Sequence, residues 1–190
     1  MTGAIDIAVD TGGTFTDAVV RQSGKTEQRI KVLSSSAIRA RVARSASQSE
    51  LAVEVPALER LASEGDPALC ARLVLGWRLR GQRSAGVVVD AEWRSGLLHL
   101  RCNRATVEFR GEASLEALPV GALLDLASPW PAPILAARLL LCCPGDEPLP
   151  PLAMRLGTTR GTNAVLEGRF DPVLLVTNAG LGDALQIGDQ

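Results

Sequence analysis

The stretch Ile7-Ala8-Val9-Asp10-Thr11-Gly12-Gly13-Thr14-Phe15-Thr16-Asp17 decides how the chain is read. Apolar residues alternate at Ile5, Ile7 and Val9, so residues 4–10 predict a buried strand. Two consecutive glycines make residues 11–14 a turn, and the β-formers Phe15, Thr16, Val19 and Val20 predict a second strand over 15–21. Glycine admits backbone angles closed to other residues and removes the side chain that would keep a bulky anion away. Successive N–H groups in such a turn form an anion-binding concavity, and the hydroxyls of Thr11 and Thr14 add donors. Asp10 would repel a phosphate directly. It makes sense if a hard cation lies between them, because Mg²⁺ takes oxygen ligands and keeps several waters. Asp17, facing outward on the second strand, is placed to hold water or cation. The candidate phosphate-binding residues are thus Thr11, Gly12, Gly13, Thr14 and Asp17, with Asp10 as candidate metal ligand and catalytic carboxylate.

Two other readings use the same residues. An ordinary tight hairpin also needs glycines. Asp10-Thr11-Gly12 is also the triplet of aspartic proteases, in which two carboxylates share a proton. Gly13 and Thr14 are better explained by phosphate, and the long chain that follows does not read as a small all-β protease.

Outward from the turn, Ser23-Gly24 makes the next reversal and residues 27–33 a third strand, giving an antiparallel meander. Ser34 to Ser36 are expected to cap a helix over 37–46, with Arg39, Arg41 and Arg44 on its solvated face. Residues 49–126 carry short apolar runs, with strands expected at 73–79, 86–93, 97–102, 106–109 and 122–126 and a hairpin turn at Arg94-Ser95-Gly96. This pattern predicts a small β-rich insert, a barrel or a sandwich. Prolines at 129, 131 and 133 then open a helix over 134–141. A proline-rich connector (144–151), a short strand (155–158) and a short helix (162–167) follow, the helix N-capped by Thr162 and ended by Gly168. A continuous apolar strand (173–177) leads through a glycine-containing turn to a last helix. The expected segments are 1–48, 49–126 and 127–190.

Composition narrows the classes. Of the 190 residues, 46% are hydrophobic and 22% charged, enough apolar material for a core. A net charge of -1 speaks against a broad nucleic-acid surface. The longest apolar run, 134–143, is interrupted by Arg138, so no membrane span is expected, and no secretory leader is visible. Four cysteines without metal-type spacing predict reduced, mostly buried thiols in a cytoplasmic protein. His99 is the single histidine, which excludes a histidine triad or multi-histidine metal site built by this chain alone. Trp77, Trp93 and Trp130 are read as packing residues.

A second constellation is Gly157-Thr158-Thr159-Arg160-Gly161-Thr162-Asn163, which joins a strand to a helix. A helix N-terminus attracts anions, and Thr158, Thr159, Thr162 and Asn163 add donors for a substrate carboxylate or a transferring phosphoryl group. A well-capped structural helix explains much of the same string.

Four motifs in order carry a family resemblance: 7–17; Lys31-Val32-Leu33-Ser34; 157–167; and 176–183 with Leu185-Gln186-Ile187-Gly188. Together they resemble the hydantoinase A/5-oxoprolinase family at both ends of the chain, leaving 49–126 poorly covered. The resemblance implies an α/β fold of the actin, sugar-kinase and heat-shock-chaperone type (ribonuclease H-like), of which this chain is the N-terminal lobe carrying the insert. It further implies ATP and Mg²⁺, and ATP-driven opening of a cyclic amide, 5-oxo-L-proline or a hydantoin, through phosphorylation of the amide oxygen. Asp10, Thr158 and Thr159 would then be catalytic, and Thr162 and Asn163 would bind substrate. The remainder of the same polypeptide, or a hydantoinase B-type partner, would complete the site. Many hydantoinase-type members have His before Gly-Thr-Thr. Leu156 stands there in this chain, which tilts the resemblance towards 5-oxoproline. A catalytically inactive scaffold lobe, or a kinase sharing the phosphate loop, are the alternatives.

Overall fold

The structure is a computed structural model, and it describes residues 5–45, 49–81, 85–104, 118–168, 172, 174, 176 and 178–180. In chain order the elements are β1 (Ile5–Thr11), β2 (Phe15–Gln22), β3 (Gln28–Leu33), β4 (Ala37–Ser45), β5 (Glu50–Glu54), α1 (Pro56–Glu64), α2 (Pro67–Arg72), β6 (Arg78–Arg80), β7 (Ala85–Arg94), β8 (Leu97–Arg104), β9 (Leu123–Ala127), α3 (Ala132–Leu140), β10 (Leu152–Thr158) and α4 (Arg160–Glu167). They form two compact units, Met1–Arg160 and Gly161–Gln190.

In the first unit the ten strands make one sheet in the order β10-β1-β2-β3-β4-β5-β8-β7-β6-β9. The expected meander is present: β1 and β2 pair antiparallel, as do β2 and β3. β10 lies parallel to β1 on its other side, with Asp10 opposite Gly157 and Thr11 opposite Thr158. A parallel return needs a crossover, and the connection includes α3. Its buried Leu135, Ala136 and Leu139 pack on the face that β1 to β3 present with Ile5, Ile7, Val9, Ala18, Val20, Ile30 and Val32.

Where a helix is expected over 37–46, the chain forms β4. Its burial alternates, with Ile38, Ala40 and Val42 inside and Arg39 and Arg41 outside. Alanine and arginine favour helix locally, but partners on both edges override that preference. Ser36 adopts φ 65 and turns the chain tightly, with its N–H donating to the Leu33 carbonyl 2.9 Å away, so the serines form a reversal rather than a cap. Arg39 bonds Asp125 across to β9 at 3.1 Å.

The β-rich middle closes as a barrel. β4 pairs with both β5 and β9, completing the ring β4-β5-β8-β7-β6-β9. The hairpin at Ser95-Gly96 forms as expected, both residues in the left-handed region that such a turn needs (φ 50 and 77). Two helices were not foreseen. α1 begins at Pro56 and buries Leu58, Leu61 and Ala62. α2 is capped by Asp66, whose carboxylate accepts the Ala68 N–H at 2.9 Å. The strand expected at 73–79 shrinks to β6, because residues 73–76 form turns ending at Gly76 (φ 76).

The connector after α3 is fixed by Arg138. Its Nη1 donates to the carbonyls of Cys143, Pro144 and Glu147 at 3.3, 2.6 and 3.1 Å. Its guanidinium lies 4.4 Å from the Trp130 ring centroid. A methyl group at Gly145 would collide with the same ring. Arg138→Met should therefore cost about 2–3 kcal/mol, since charged donors leave several carbonyls unpaired. Urea denaturation checks this.

α4 stops at Gly168 (φ 63), as expected, but it begins at Arg160, the last residue of the first unit, so Thr162 lies inside its first turn and not at the cap. Residues 178–180 include a turn at Ala179-Gly180. The strand expected at 106–109 and the last helix lie outside the described residues, as do positions 173, 175 and 177 of the expected apolar strand. No helix among the described residues is long and apolar enough to cross a membrane.

Candidate functional site

The glycine turn joins β1 to β2 at the end where β10 also finishes. Alternation along β1 buries Val9 and Thr11 and leaves Asp10 exposed. Asp10 lies opposite Asp17 on β2 and opposite Gly157 on β10. A Cβ at position 157 would sit 3.7 Å from the Asp10 Oδ1, an ordinary contact, which places this carboxylate directly beside the end of β10. Two carboxylates facing each other across a ladder repel. The register relieves this by placing Lys31 next to Asp17, with Nζ 2.7 Å from Oδ2. Lys31 also stands 5.2 Å over the exposed Phe15 ring. Asp17 is thereby paired, whereas Asp10 makes no hydrogen bond or ion pair among the described residues.

The turn is held from beneath by Ser34. Its hydroxyl donates to the Gly12 carbonyl at 2.9 Å and lies 3.0 Å from the Thr16 hydroxyl, while its N–H donates to the Thr14 carbonyl at 2.9 Å. Sequence reasoning assigned Ser34 to a helix cap and missed this role. The signal was its place directly after a strand that pairs back onto β2. The Gly12 N–H donates to the Phe15 carbonyl at 2.9 Å, so of the three turn amides expected to meet an anion, this one is committed internally. The Gly13 and Thr14 N–H groups, and the Thr14 hydroxyl, have no partner among the described residues, and both residues are exposed. Thr11 contributes differently from the expectation. Its hydroxyl is buried without a partner on the core face, away from Asp10, and its carbonyl accepts the Thr159 N–H at 3.2 Å.

That last bond ties the end of β10 to the glycine turn. Thr158 lies opposite Thr11, on the face away from Asp10, and Thr159 follows it at the turn, both exposed. Thr162 and Asn163 belong to the second unit, in the first turn of α4.

Among the described residues no group of three or more His, Cys, Asp or Glu could hold a metal. A cation at Asp10 must then share its coordination with water and phosphate oxygens, which is how Mg²⁺ is usually held. Backbone N–H groups and a hydroxyl beside such a carboxylate suit a phosphoryl group that arrives with its own cation.

A stretch of 38 residues is 58% identical to a 5-oxoprolinase from Dictyostelium discoideum, covering 20% of this chain and 3% of that protein. The chain thus matches only a small part of that relative's length. No solved structure matches the chain. Residues 6–63, which hold the glycine turn, β1 to β5 and most of α1, match the family described as hydantoinase/oxoprolinase N-terminal region. Over that span the chain is similar to the hydantoinase/oxoprolinase N-terminal region.

Proposed function

We propose that the chain is the phosphate-binding lobe of an ATP-dependent cyclic-amide hydrolase that opens 5-oxo-L-proline to L-glutamate. The observation that carries this is the pair of unclaimed amides at Gly13 and Thr14 beside the unpaired carboxylate of Asp10. Such preorganised donors stabilise charge on a transferring phosphoryl group at no reorganisation cost. In this assignment the Gly13 and Thr14 N–H groups and the Thr14 hydroxyl donate to terminal phosphate oxygens. Asp10 holds the cation, and Mg²⁺ supplies charge neutralisation between carboxylate and phosphate. Thr159, tied to the turn by its N–H bond to the Thr11 carbonyl, is assigned a hydroxyl next to the phosphoryl oxygens, while Thr158, opposite Thr11, is assigned to holding the end of β10 in place. Thr162 and Asn163 are assigned to the substrate carboxylate on chemistry alone, because the first turn of a helix favours anions.

Leu156 supports the lactam over the hydantoin branch, and the 5-oxoprolinase similarity agrees. The fold proposed for the β3-β2-β1-β10 part is the actin and sugar-kinase type, supported by an antiparallel meander followed by a parallel strand beside β1. That fold places nucleotide between two lobes, so the remainder of the polypeptide, or a hydantoinase B-type partner, completes the site.

The test is phosphate release by the native polypeptide containing this chain, given ATP, Mg²⁺ and either 5-oxo-L-proline or hydantoins. Phosphate released in step with glutamate is the expected result. Release with hydantoins alone would move the substrate to the other branch, and no substrate-dependent release would overturn the proposal. Residues 1–190 alone should show no turnover above background. Robust turnover by them would contradict the lobe assignment.

A further inference from the structure

β3 and β4 part immediately after their turn. They pair only at Leu33 and Ala37, and β4 takes its next partner on that edge, β5, from Arg41 onward. Had the first ladder continued, Lys31 would face Arg39. Instead a cavity of about 450 Å³ lies between the two strands and the start of α1. Main-chain groups point into it from both strands, because the bonding direction in an antiparallel ladder alternates by residue. On β3 the bond from the Ser34 N–H to the Thr14 carbonyl fixes that alternation. Ile30 and Val32 therefore bond β2, while Arg29 and Lys31 turn their N–H and carbonyl groups to the cavity. On β4 the bonds from the Ser128 N–H to the Ser36 carbonyl and from the Val42 N–H to the Ala122 carbonyl leave Arg39 facing the cavity in the same way. The Arg29 carbonyl is taken by Arg60 Nη2 at 2.7 Å. The main-chain groups of Lys31 and Arg39 have no partner among the described residues.

The side chains follow the same period. Arg29, Lys31 and Arg39 are exposed, whereas Ile30 is buried and lines an apolar floor with Ala57 and Leu61 of α1. With Arg60, four cations and no carboxylate line the cavity among the described residues. Glu27, Asp17 and Asp125 pair with three of the cations from outside it.

We propose that this cleft is a docking site for an extended acidic segment of a partner protein, which adds a strand along β3. Such a strand would set alternate side chains beside Arg29 and Lys31 and the one between them over Ile30. The segment recognised therefore alternates acidic, apolar and acidic residues. Main-chain bonds to Lys31 and Arg39 supply affinity, and the four cations select the charge. The same cations exclude a second copy of this edge as the occupant, since charged edge strands resist self-pairing. The surface is independent of the phosphate-binding reading and needs no nucleotide.

The test uses the native polypeptide containing this chain and a short fluorescent peptide of alternating glutamate and valine, read by anisotropy at low salt. Binding is expected, with none for the matching peptide of lysine and valine. Methylating the peptide's backbone nitrogens keeps its charge but removes its donors, and should weaken binding about tenfold. Arg39→Glu and Arg60→Glu, both at exposed positions, should each weaken it about fivefold or more. Hydrogen exchange should slow at the Lys31 and Arg39 amides when the peptide is bound. No binding, equal binding of the methylated peptide, or binding indifferent to both substitutions would overturn the proposal. So would displacement by glutarate at equal concentration, which would mark a small-anion site. Self-association abolished by Arg39→Glu would assign the surface to a second copy and overturn it as well.

Discussion

Asp10→Asn, in the native polypeptide containing this chain, should lower ATP-dependent ring opening about a hundredfold or more while leaving the fold intact. The magnitude is that of removing one preorganised electrostatic contact from a transition state. Asn keeps the shape of Asp but not the charge that would hold a cation against phosphate. Stability should not suffer, because Asp10 is exposed and makes no hydrogen bond or ion pair among the described residues. The substitution even removes a like-charge pairing with Asp17 across the β1–β2 ladder. Asp17→Asn is the contrasting variant. It breaks an exposed pair with Lys31, worth about 0–1 kcal/mol after solvent screening. Steady-state phosphate release and a melting curve for both proteins separate the two roles. Full activity in Asp10→Asn would remove Asp10 from the reaction.

The largest effect on stability is expected from Trp77→Ala, at about 3–5 kcal/mol. Trp77 is 1% exposed, just before β6, within the core that the barrel shares with α1 and α2. Its backbone joins the barrel wall, accepting the Val88 N–H at 2.9 Å and donating to the Val74 carbonyl at 3.1 Å. Truncation leaves a large void between elements distant in sequence, where collapse is limited. For a chain of this size the melting temperature should fall by roughly 10 °C. Trp77→Phe should cost much less. The indole Nε1 is buried with no partner, so the ring change removes an unsatisfied donor as well as some packing. A loss below about 1 kcal/mol in Trp77→Ala, by urea denaturation, would show that the barrel is not closed around this side chain.

How much of this was legible in the sequence depends on how local the signal is. The β1–turn–β2 unit was legible because β-branched residues, alternation and two glycines agree with the tertiary pairing. The hairpin at Ser95-Gly96 was legible for the same reason. β4 was not, because Ala37 to Ser45 is rich in good helix formers and becomes strand only through partners in β5 and β9. Its period-two placement of Arg39 and Arg41 was the overlooked clue. α1 and α2 each open on a proline, a start signal hidden among short apolar runs that also suit strands. Closure of the barrel rests on β4 meeting β9, a pairing between residues far apart in the chain, which no local pattern encodes.

The site divides in the same way. Outward placement of Asp10 and Asp17 followed from alternation along two strands. The Lys31–Asp17 pair and the hold of Ser34 on Gly12 arise from the β2–β3 register and stay hidden until the strands are paired. The internal bond of the Gly12 N–H depends on the exact reversal of the chain, which a Gly-Gly dipeptide permits but does not dictate.

A crystal structure of the native polypeptide with Mg²⁺ and a non-hydrolysable ATP analogue tests the central assignment. Terminal phosphate oxygens should lie within hydrogen-bond distance of the Gly13 and Thr14 N–H groups, with the cation on the Asp10 carboxylate. Nucleotide bound with its phosphates away from this turn, or a cation held without Asp10, would contradict it.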